Sequence, residues 1–352
     1  MWVWFLLLAL AACTPAVKRE QVNRPPVPFA DSSPWDALLF EDSGRAFLVA
    51  SLHGDNALGL WDLAQQKEIG RYSEAGYHPD GLCLWEGQRF VLAAEGERKV
   101  QLWRLEGGSL KLEKQLPAPF PVRDCVAEDL DLDGHKDLVL TPYAGVQVVI
   151  WWGKGEFQFT PQVLEAAKTP WHVALIDWNG DERPDLVWSD WDAGSIRLQL
   201  NVGSRRFKTE FLQTPSPGSP RQVAVGDIDG DGYQDVVAAL ETGQAARVFY
   251  HRGDAVQTED IPAPDWGYSS AAVFQDGTLA LGEEGRVILA RREGGRWSLR
   301  QLPAGSLPSR LRVVEANGDG VEDLLVVNSA GPGVNLHLGP VWQKAQPVAW
   351  QR

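Results

Sequence analysis

From residue 35 onwards, apolar residues occur in short runs that predict β-strands separated by tight turns. Runs such as DLVLTPY, VQVVIWWG and EFQFTP are rich in β-branched and aromatic residues, and Ala-Gly or Lys-Gly pairs separate them. This alternation is typical of antiparallel hairpins. No amphipathic helical stretch is long enough to alter this interpretation. The pattern therefore predicts an all-β protein.

The same succession of runs recurs along the chain. An acidic segment begins four of the recurrences: DLDLDGHKDLVL (129–140), DWNGDERPDLVW (177–188), DIDGDGYQDVVA (227–238) and EANGDGVEDLLVV (315–327). These segments start 48, 50 and 88 residues apart, and 88 is twice 44. A fixed period of this size indicates a repeat architecture.

With the strand before each acidic segment, every unit contains four strands, and seven units fit the chain. The last unit is expected to end in a strand near QPVAW (346–350). Seven such units predict a seven-bladed β-propeller of four-stranded antiparallel blades around a central channel. A linear β-solenoid is the alternative, but its coils are shorter than a four-strand meander. The predicted blades span residues 35–73, 77–118, 122–168, 170–215, 220–263, 266–303 and 308–351.

The first residues follow a different pattern. Residues 2–12 are apolar, too short a run to span a bilayer, and fit the core of a signal peptide over residues 1–12. Leu10-Ala11-Ala12-Cys13 resembles the lipobox of bacterial lipoproteins, so we expect lipidation of Cys13. No Lys or Arg precedes the run, and the alternatives are a chance L-A-A-C in an ordinary signal or a mis-assigned start codon.

Residues 13–34 are Pro-rich and predict a tether behind the lipidated cysteine. These features predict a protein of the bacterial cell envelope, held at the outer membrane or cell surface by its lipid anchor only. The body would lie in the periplasm or outside the cell.

Composition and cysteine content narrow the function classes. The chain has 352 residues, of which 44% are hydrophobic, so it can bury a large core. Its net charge of -14 argues against nucleic acid as a partner. Cys83 and Cys125 lie in apolar runs, so we expect two buried thiols that behave as small apolar residues. A disulfide is the alternative, since an exported chain can keep one.

The acidic segments share the pattern D-x-[DN]-x-D-G-x-x-D. Positions 1, 3, 5 and 9 supply side-chain oxygens, Gly at position 6 permits a sharp turn, and the carbonyl at position 7 can add a ligand. Calcium prefers such an oxygen shell, with roughly 6 to 8 ligands, whereas Mg²⁺ keeps more water. We therefore predict up to four Ca²⁺ ions.

The predicted ligands of the four loops are Asp129, Asp131, Asp133, His135 and Asp137; Asp177, Asn179, Asp181, Arg183 and Asp185; Asp227, Asp229, Asp231, Tyr233 and Asp235; and Glu315, Asn317, Asp319, Val321 and Asp323. His135, Arg183, Tyr233 and Val321 would contribute their carbonyl oxygens. The first and third loops should bind most strongly, because the second has Glu182 at position 6 and the fourth opens with Glu.

The acidic loops have two other interpretations. One is an acidic Asx-rich turn without metal. The other is an EF-hand, which needs flanking helices and a Glu at position 12. That position holds Leu140, Trp188, Ala238 and Val326, which excludes the EF-hand.

On these motifs the chain resembles the FG-GAP/VCBS-type repeats of integrin α-subunit propellers and many exported bacterial proteins. The resemblance covers about residues 35–350, although the first, second and sixth units lack the acidic motif. It implies structural Ca²⁺ in the loops that join the first two strands of a blade. It says little about a ligand, because propellers host many functions.

In this type of propeller, each inner strand starts at the face opposite the calcium loops. The residues at these starts and in one nearby loop are Trp35, His78, Arg123, Trp171, His172, Trp191, Arg221, Tyr268 and Arg310. We expect them to form a basic and aromatic rim that binds an anionic or carbohydrate-like ligand, or an acidic segment of a protein. The alternative is that they only pack under neighbouring loops.

No motif of a known catalytic class occurs: the sequence lacks G-x-S-x-G, H-E-x-x-H, a P-loop and a dinucleotide fingerprint. Arg252-Gly253-Asp254 spells an adhesion tripeptide, which we interpret as turn chemistry. The sequence predicts a non-catalytic, calcium-stabilised binding or scaffold protein with a protein or glycan partner. The alternative is an exported hydrolase or lyase acting on an anionic polymer, with His78, His172 and Arg123 as candidates.

Overall fold

The computed structural model describes residues 33–165, 168–213, 218–331 and 333–348. The predicted signal peptide, Cys13 and nearly all of the predicted tether lie outside the described residues. Within the described part of the chain, no helix is long and apolar enough to cross a membrane.

Seven antiparallel sheets surround a central channel, which confirms the predicted seven-bladed β-propeller. The strands of blades one to three are β1 (Pro34–Asp42), β2 (Arg45–Leu52), β3 (Ala57–Asp62), β4 (Lys67–Tyr72); β5 (Pro79–Leu84), β6 (Arg89–Ala94), β7 (Lys99–Glu106), β8 (Ser109–Pro117); and β9 (Val122–Glu128), β10 (Asp137–Pro142), β11 (Gln147–Gly153), β12 (Phe159–Glu165). Those of blades four and five are β13 (Pro170–Ile176), β14 (Asp185–Asp190), β15 (Ser195–Asn201), β16 (Phe207–Gln213); and β17 (Pro220–Gly226), β18 (Asp235–Leu240), β19 (Ala245–Arg252), β20 (Ala255–Pro262). Blades six and seven contain β21 (Ser270–Val273), β22 (Leu279–Glu283), β23 (Arg286–Glu293), β24 (Arg296–Pro303); and β25 (Pro308–Val314), β26 (Asp323–Asn328), β27 (Val334–His337).

The first strand of each blade lies innermost, beside the first strands of the neighbouring blades. Six of these seven strands begin with an irregular register, and five of those six start with proline: Pro34, Pro79, Pro170, Pro220 and Pro308. Proline has no N–H to donate, so it suits the first residue of a strand, and a bulge redirects the following side chain. The residues that follow therefore leave the sheet at the channel mouth.

The core consists of apolar layers between adjacent blades. Between blades three and four, for example, Trp152 of β11 and Trp188 of β14 are fully buried in one cluster with Ile150 and Leu186. Large rings fill the wedge between twisted sheets and bury much apolar area. This packing explains the high Trp content of the sequence.

Cys83 and Cys125 form a disulfide between β5 and β9, with their Cα atoms 5.8 Å apart. The expectation of two free thiols is therefore wrong. The first strands of blades two and three are neighbours at the channel, which brings together residues 42 positions apart in sequence.

The C-terminal strand also differs from expectation. A short helix, α1 (Val341–Lys344), leads to β28 (Gln346–Pro347), which pairs with β24 of blade six. The prediction that this segment completes blade seven is wrong, and the described part of blade seven has three strands. Trp342 is buried between blades six and seven, with the Arg291 and Arg300 guanidinium carbons 4.7 and 4.8 Å from its ring centre. Its anchoring directs the chain towards blade six.

Candidate metal loops and channel mouth

The four acidic loops join the first and second strands of blades three, four, five and seven, at the end of the propeller opposite the strand starts. They span residues 129–136, 177–184, 227–234 and 315–322. This is the position that the repeat resemblance implied.

The carboxylate at position 9 of each loop is buried and connects two strands of its blade. In blade five, Asp235 accepts the N–H of Ile228 at 3.0 Å and the N–H of His251 at 2.8 Å. Asp137, Asp185 and Asp323 accept the corresponding pairs of N–H groups in their blades. Burial, with a smaller contribution from the nearby Asp229 and Asp231, raises the pKa of Asp235 to about 6, although the two N–H bonds act to lower it.

The carboxylate at position 1 organises the turn. Asp227 accepts N–H groups of Gly230 at 2.7 Å and Gly232 at 2.9 Å. Positions 4 and 6 adopt positive φ in all four loops, mostly at glycine, but Leu132 (φ 60°) and Glu182 (φ 64°) occupy this region in the first and second loops. A side chain is strained in this conformation, so these two loops carry a cost that the third loop avoids.

The first and third loops assemble a triad of carboxylates. Single oxygens of Asp129, Asp131 and Asp137 lie within 4.8 Å of one another, and Asp227, Asp229 and Asp235 form the same arrangement. Asp131 Oδ1 and Asp229 Oδ1 are buried and have no hydrogen-bond partner. Buried oxygens nearly always have a hydrogen-bond partner, so these two atoms are suited to contact an electropositive ligand. An all-oxygen set of this kind suits Ca²⁺.

The second and fourth loops lack such a triad among the described residues. Their position 3 is an asparagine whose amide donates to the carboxylate at position 5, over 3.1 Å from Asn179 to Asp181 and 3.0 Å from Asn317 to Asp319. Glu315 accepts the N–H of Asn317 and of Gly318, which is a different pattern from that of Asp227. That the first and third loops bind calcium most strongly stays a prediction.

The carboxylates at position 5 make other contacts. Asp133 and Asp231 lie outside the two triads and each accepts the N–H of position 7, from His135 and Tyr233 respectively, over 2.9 Å. Arginines also reach the loops. Arg205 of blade four donates to Asp131 of blade three over 2.6 Å, and Arg252 donates to Asp229 and Asp231 of its own blade. Backbone N–H groups and guanidinium groups thus offset part of the repulsion between the carboxylates of each loop.

At the opposite end, six of the nine predicted rim residues line one small pocket: Trp35, Arg123, Trp171, His172, Arg221 and Arg310. All six occupy or adjoin the bulges that begin the inner strands, which explains why they converge. The pocket encloses only about 20 Å³, while the channel below it holds about 460 Å³.

The arginines of this pocket are paired with acids. Arg221 contacts Glu241 at 2.7 Å, and Arg123 lies 3.7 Å from Glu95 and 3.7 Å from the Trp171 ring centre. Arg310, on the inner strand of blade seven, contacts Asp124, on the inner strand of blade three, at 3.0 Å. The predicted basic character of the rim is therefore largely neutralised within the protein.

Asp124 and His172 form part of the same buried network, 3.7 Å apart. Burial alone would raise the pKa of Asp124, but the charge of Arg310 and its hydrogen bond hold it below its ordinary value. Burial, together with the nearby Arg310 and Arg312, lowers the pKa of His172 to about 3, although Asp124 acts to raise it. His172 is therefore a neutral imidazole near pH 7.

The other predicted rim residues have separate positions. Trp191 packs on Trp171 with ring centres 4.9 Å apart, and His78 stacks on His53 at 4.1 Å beside the pocket. The placement of Tyr268 at the rim is wrong, because its side chain is buried and its hydroxyl donates to the Pro262 carbonyl at 3.0 Å. The exposed aromatic residue at this point of the rim is Trp266.

Sequence reasoning missed three exposed aromatic residues on this face. Tyr77, Tyr143 and Trp266 are 53%, 44% and 67% exposed. Tyr77 and Trp266 precede inner strands, and Tyr143 follows a second strand, so the repeat pattern could have located them. Together with Trp35, Trp171 and Trp191 they form what we call the aromatic rim.

Comparison with known proteins supports the repeat interpretation. Residues 129–188 and 177–238 match the FG-GAP-like repeat family. The chain contains FG-GAP-like repeats. These repeats contain the first three acidic loops, whereas the fourth acidic loop lies outside the matched residues. No curated protein shows significant sequence similarity to this chain.

Several solved structures share the propeller fold. Kuenenia stuttgartiensis hydrazine synthase has a TM-score of 0.67 at 13% identity, covering 92% of this chain and 99% of that one. The β-propeller domain of Myceliophteria thermophila Cps50 (Swd1) scores 0.61 at 13% identity and covers 88% and 97%, respectively. The WD40 repeats of RRP9 score 0.62 at 12% identity and cover 89% and 96%. At these identities the similarity shows the fold alone.

Proposed function

We propose that this protein is a non-catalytic, lipid-anchored, calcium-stabilised β-propeller of the bacterial cell envelope that binds a protein or glycan partner at its channel mouth. The FG-GAP-like repeats and the propeller fold support a binding or scaffolding role in general. The lipid anchor rests on the Leu10-Ala11-Ala12-Cys13 motif. The calcium assignment rests on the two carboxylate triads with their unpartnered oxygens.

The observation that carries the proposal is the aromatic rim. Its rings surround a mouth whose arginines are already paired with acids, so exposed apolar surface dominates over free charge. Aromatic rings stack on the apolar faces of sugars and receive apolar side chains of proteins. The rim therefore favours a glycan or protein segment over the strongly anionic ligand that the sequence also allowed.

The alternative of a hydrolase or lyase has less support from the same residues. His172 is buried and neutral, with a pKa too low for it to serve as a strong general base at neutral pH. Arg123 is engaged by Glu95 and Trp171. His78 stacks between Tyr77 and His53 rather than facing the pocket. We therefore favour binding over catalysis.

The test compares binding by the full chain and by two rim variants, in calcium-containing buffer. The double substitution Trp171→Ala and Arg221→Ala should abolish binding to partners found by a glycan array and by capture from envelope extracts. Because Arg221 is buried, a second variant with Tyr143→Ser and Trp266→Ser changes only exposed rings and should weaken binding at least tenfold. Val256→Thr, on the outer strand β20, serves as the control.

Melting temperatures establish that each variant is folded. A glycan or protein that binds both folded rim variants as tightly as the parent would end the proposal. Turnover of an anionic polymer that depends on His78 or Arg123 would favour the enzyme instead.

A further inference from the structure

A second cluster of metal-binding side chains lies beside the channel mouth, at the end of the propeller opposite the acidic loops. It consists of His53, just after β2, His78, just before β5, and Glu95, just after β6. One ligand atom from each residue lies within 4.8 Å of the other two. We propose that these three residues bind a transition-metal ion of the Zn²⁺ type.

The backbone holds the three side chains together independently of any metal. The Glu95 N–H donates to the His78 carbonyl at 2.9 Å, and the His78 N–H donates to the Asn56 side chain at 3.0 Å. His78 has a φ of 49°, a conformation that a non-glycine residue adopts at a cost. Strained residues of this kind concentrate at functional sites.

The cluster has an unused ligand atom. His53 Nε2 is buried and has no hydrogen-bond partner, and its distance to Glu95 Oε1, 3.8 Å, is too long for a hydrogen bond. The two imidazoles stack with ring centres 4.1 Å apart, so two positive charges there would repel.

The donor set indicates the class of metal. Imidazole nitrogens suit Zn²⁺, Cu²⁺ and Ni²⁺, whereas Ca²⁺ and Mg²⁺ require oxygen ligands. Two histidines and one carboxylate leave a further position for water or a ligand group. In tetrahedral zinc sites the ligand atoms lie about 3.3 Å apart, given bonds of about 2.0 to 2.1 Å. Small side-chain rotations of the present cluster would meet this distance.

The surroundings supply partners for the carboxylate ligand. Arg123 approaches Glu95 at 3.7 Å, and Asp80 interacts with Glu95 from the channel side. Second-layer contacts of this kind orient metal ligands. Trp35 covers His53 with ring centres 5.1 Å apart, which places the metal next to the aromatic rim.

The test is calorimetric titration of the full chain with ZnCl₂ in buffer containing excess Ca²⁺. We expect one zinc ion per chain. His78→Gln and Glu95→Gln should each weaken zinc binding by at least about tenfold. Loss of a residue that only contacts a metal ligand already weakens metal binding by about 10- to 100-fold. His135→Gln removes an exposed imidazole at the opposite end and should leave zinc affinity unchanged.

Crystals of the parent protein soaked in zinc give a measurement that does not depend on the folding of a variant. An anomalous peak bonded to His53, His78 and Glu95 would support the site. Zinc bound elsewhere, no zinc bound, or equal affinity in the folded His78→Gln variant would overturn it. None of these results bears on the proposed partner binding, which the rim variants test without zinc.

Discussion

Blades five and six share the same strand order but close their first hairpins differently. Blade five uses the acidic loop 227–234, whereas blade six uses residues 274–278. In blade six, the Gly277 N–H donates to the Phe274 carbonyl and the Phe274 N–H donates to the Thr278 carbonyl. The meander therefore does not need an acidic loop. In blade five, other interactions must therefore offset the electrostatic repulsion between the carboxylates.

The contacts of blade five separate two roles for the acids. Asp227 and Asp235 accept backbone N–H groups and so hold the loop to the sheet. Asp229 contacts Arg252 through one oxygen and leaves the other buried without a partner. The comparison indicates that positions 1 and 9 organise the hairpin, and we propose that position 3 together with them binds a cation.

Removal of calcium should have the largest effect. If free Ca²⁺ exceeds the dissociation constant 100-fold, each site stabilises the fold by about 2.7 kcal/mol, so the two strong sites give about 5 kcal/mol. Chelation should lower the melting temperature by several degrees or more. The double variant Asp131→Asn and Asp229→Asn should lose most of this response, whereas Asp276→Asn in blade six should keep it. An unchanged melting curve after chelation would contradict the calcium assignment.

Loss of the buried carboxylate at position 9 should rank second. Asp235→Ala leaves the N–H groups of Ile228 and His251 without an acceptor, and we expect a loss of about 3 to 5 kcal/mol in unfolding free energy. The control, Asp276→Ala, removes an exposed acid and should cost less than about 1 kcal/mol. Urea denaturation measures both. Equal losses would show that the acidic loop is no more integral to its blade than the short turn.

The disulfide between blades two and three should rank third. Replacement of Cys83 and Cys125 by alanine should cost about 2 to 4 kcal/mol, because the bond closes a loop with a sequence separation of 42 residues. Between blades five and six the inner strands are connected instead by Gln222, which accepts the Ala271 N–H at 3.0 Å. Gln222→Leu should cost about 1 to 2 kcal/mol. A smaller loss for the cysteine pair would mean that the bond adds little to the packing.

The smallest effect concerns Arg252. Its ion pairs with Asp229 and Asp231 are partly exposed, so Arg252→Gln should change stability without calcium by less than about 1 kcal/mol. If the guanidinium competes with the cation for Asp229, the variant should bind calcium several-fold more tightly. Calcium titration followed by calorimetry measures this change. Weaker calcium binding would show that Arg252 instead positions the carboxylates.

The sequence by itself determined the seven-bladed architecture, the location of the four acidic loops and most residues of the channel mouth. Strand runs, turn residues and the spacing of the acids are local features, and each repeat specifies its own blade through them. The expected ranking of the loops in calcium affinity also came from local features, namely Glu182 at position 6 of the second loop and glutamate at position 1 of the fourth.

Contacts between blades depended on the tertiary structure. These include the Cys83–Cys125 bond, the pairing of β28 with blade six, the burial of Tyr268 and the pairing of Arg310 with Asp124. The cluster of His53, His78 and Glu95 joins residues of two blades and has no sequence spacing that marks it. Such contacts depend on how sheets twist and pack around the ring, and a repeat pattern carries no information about which side chains then meet.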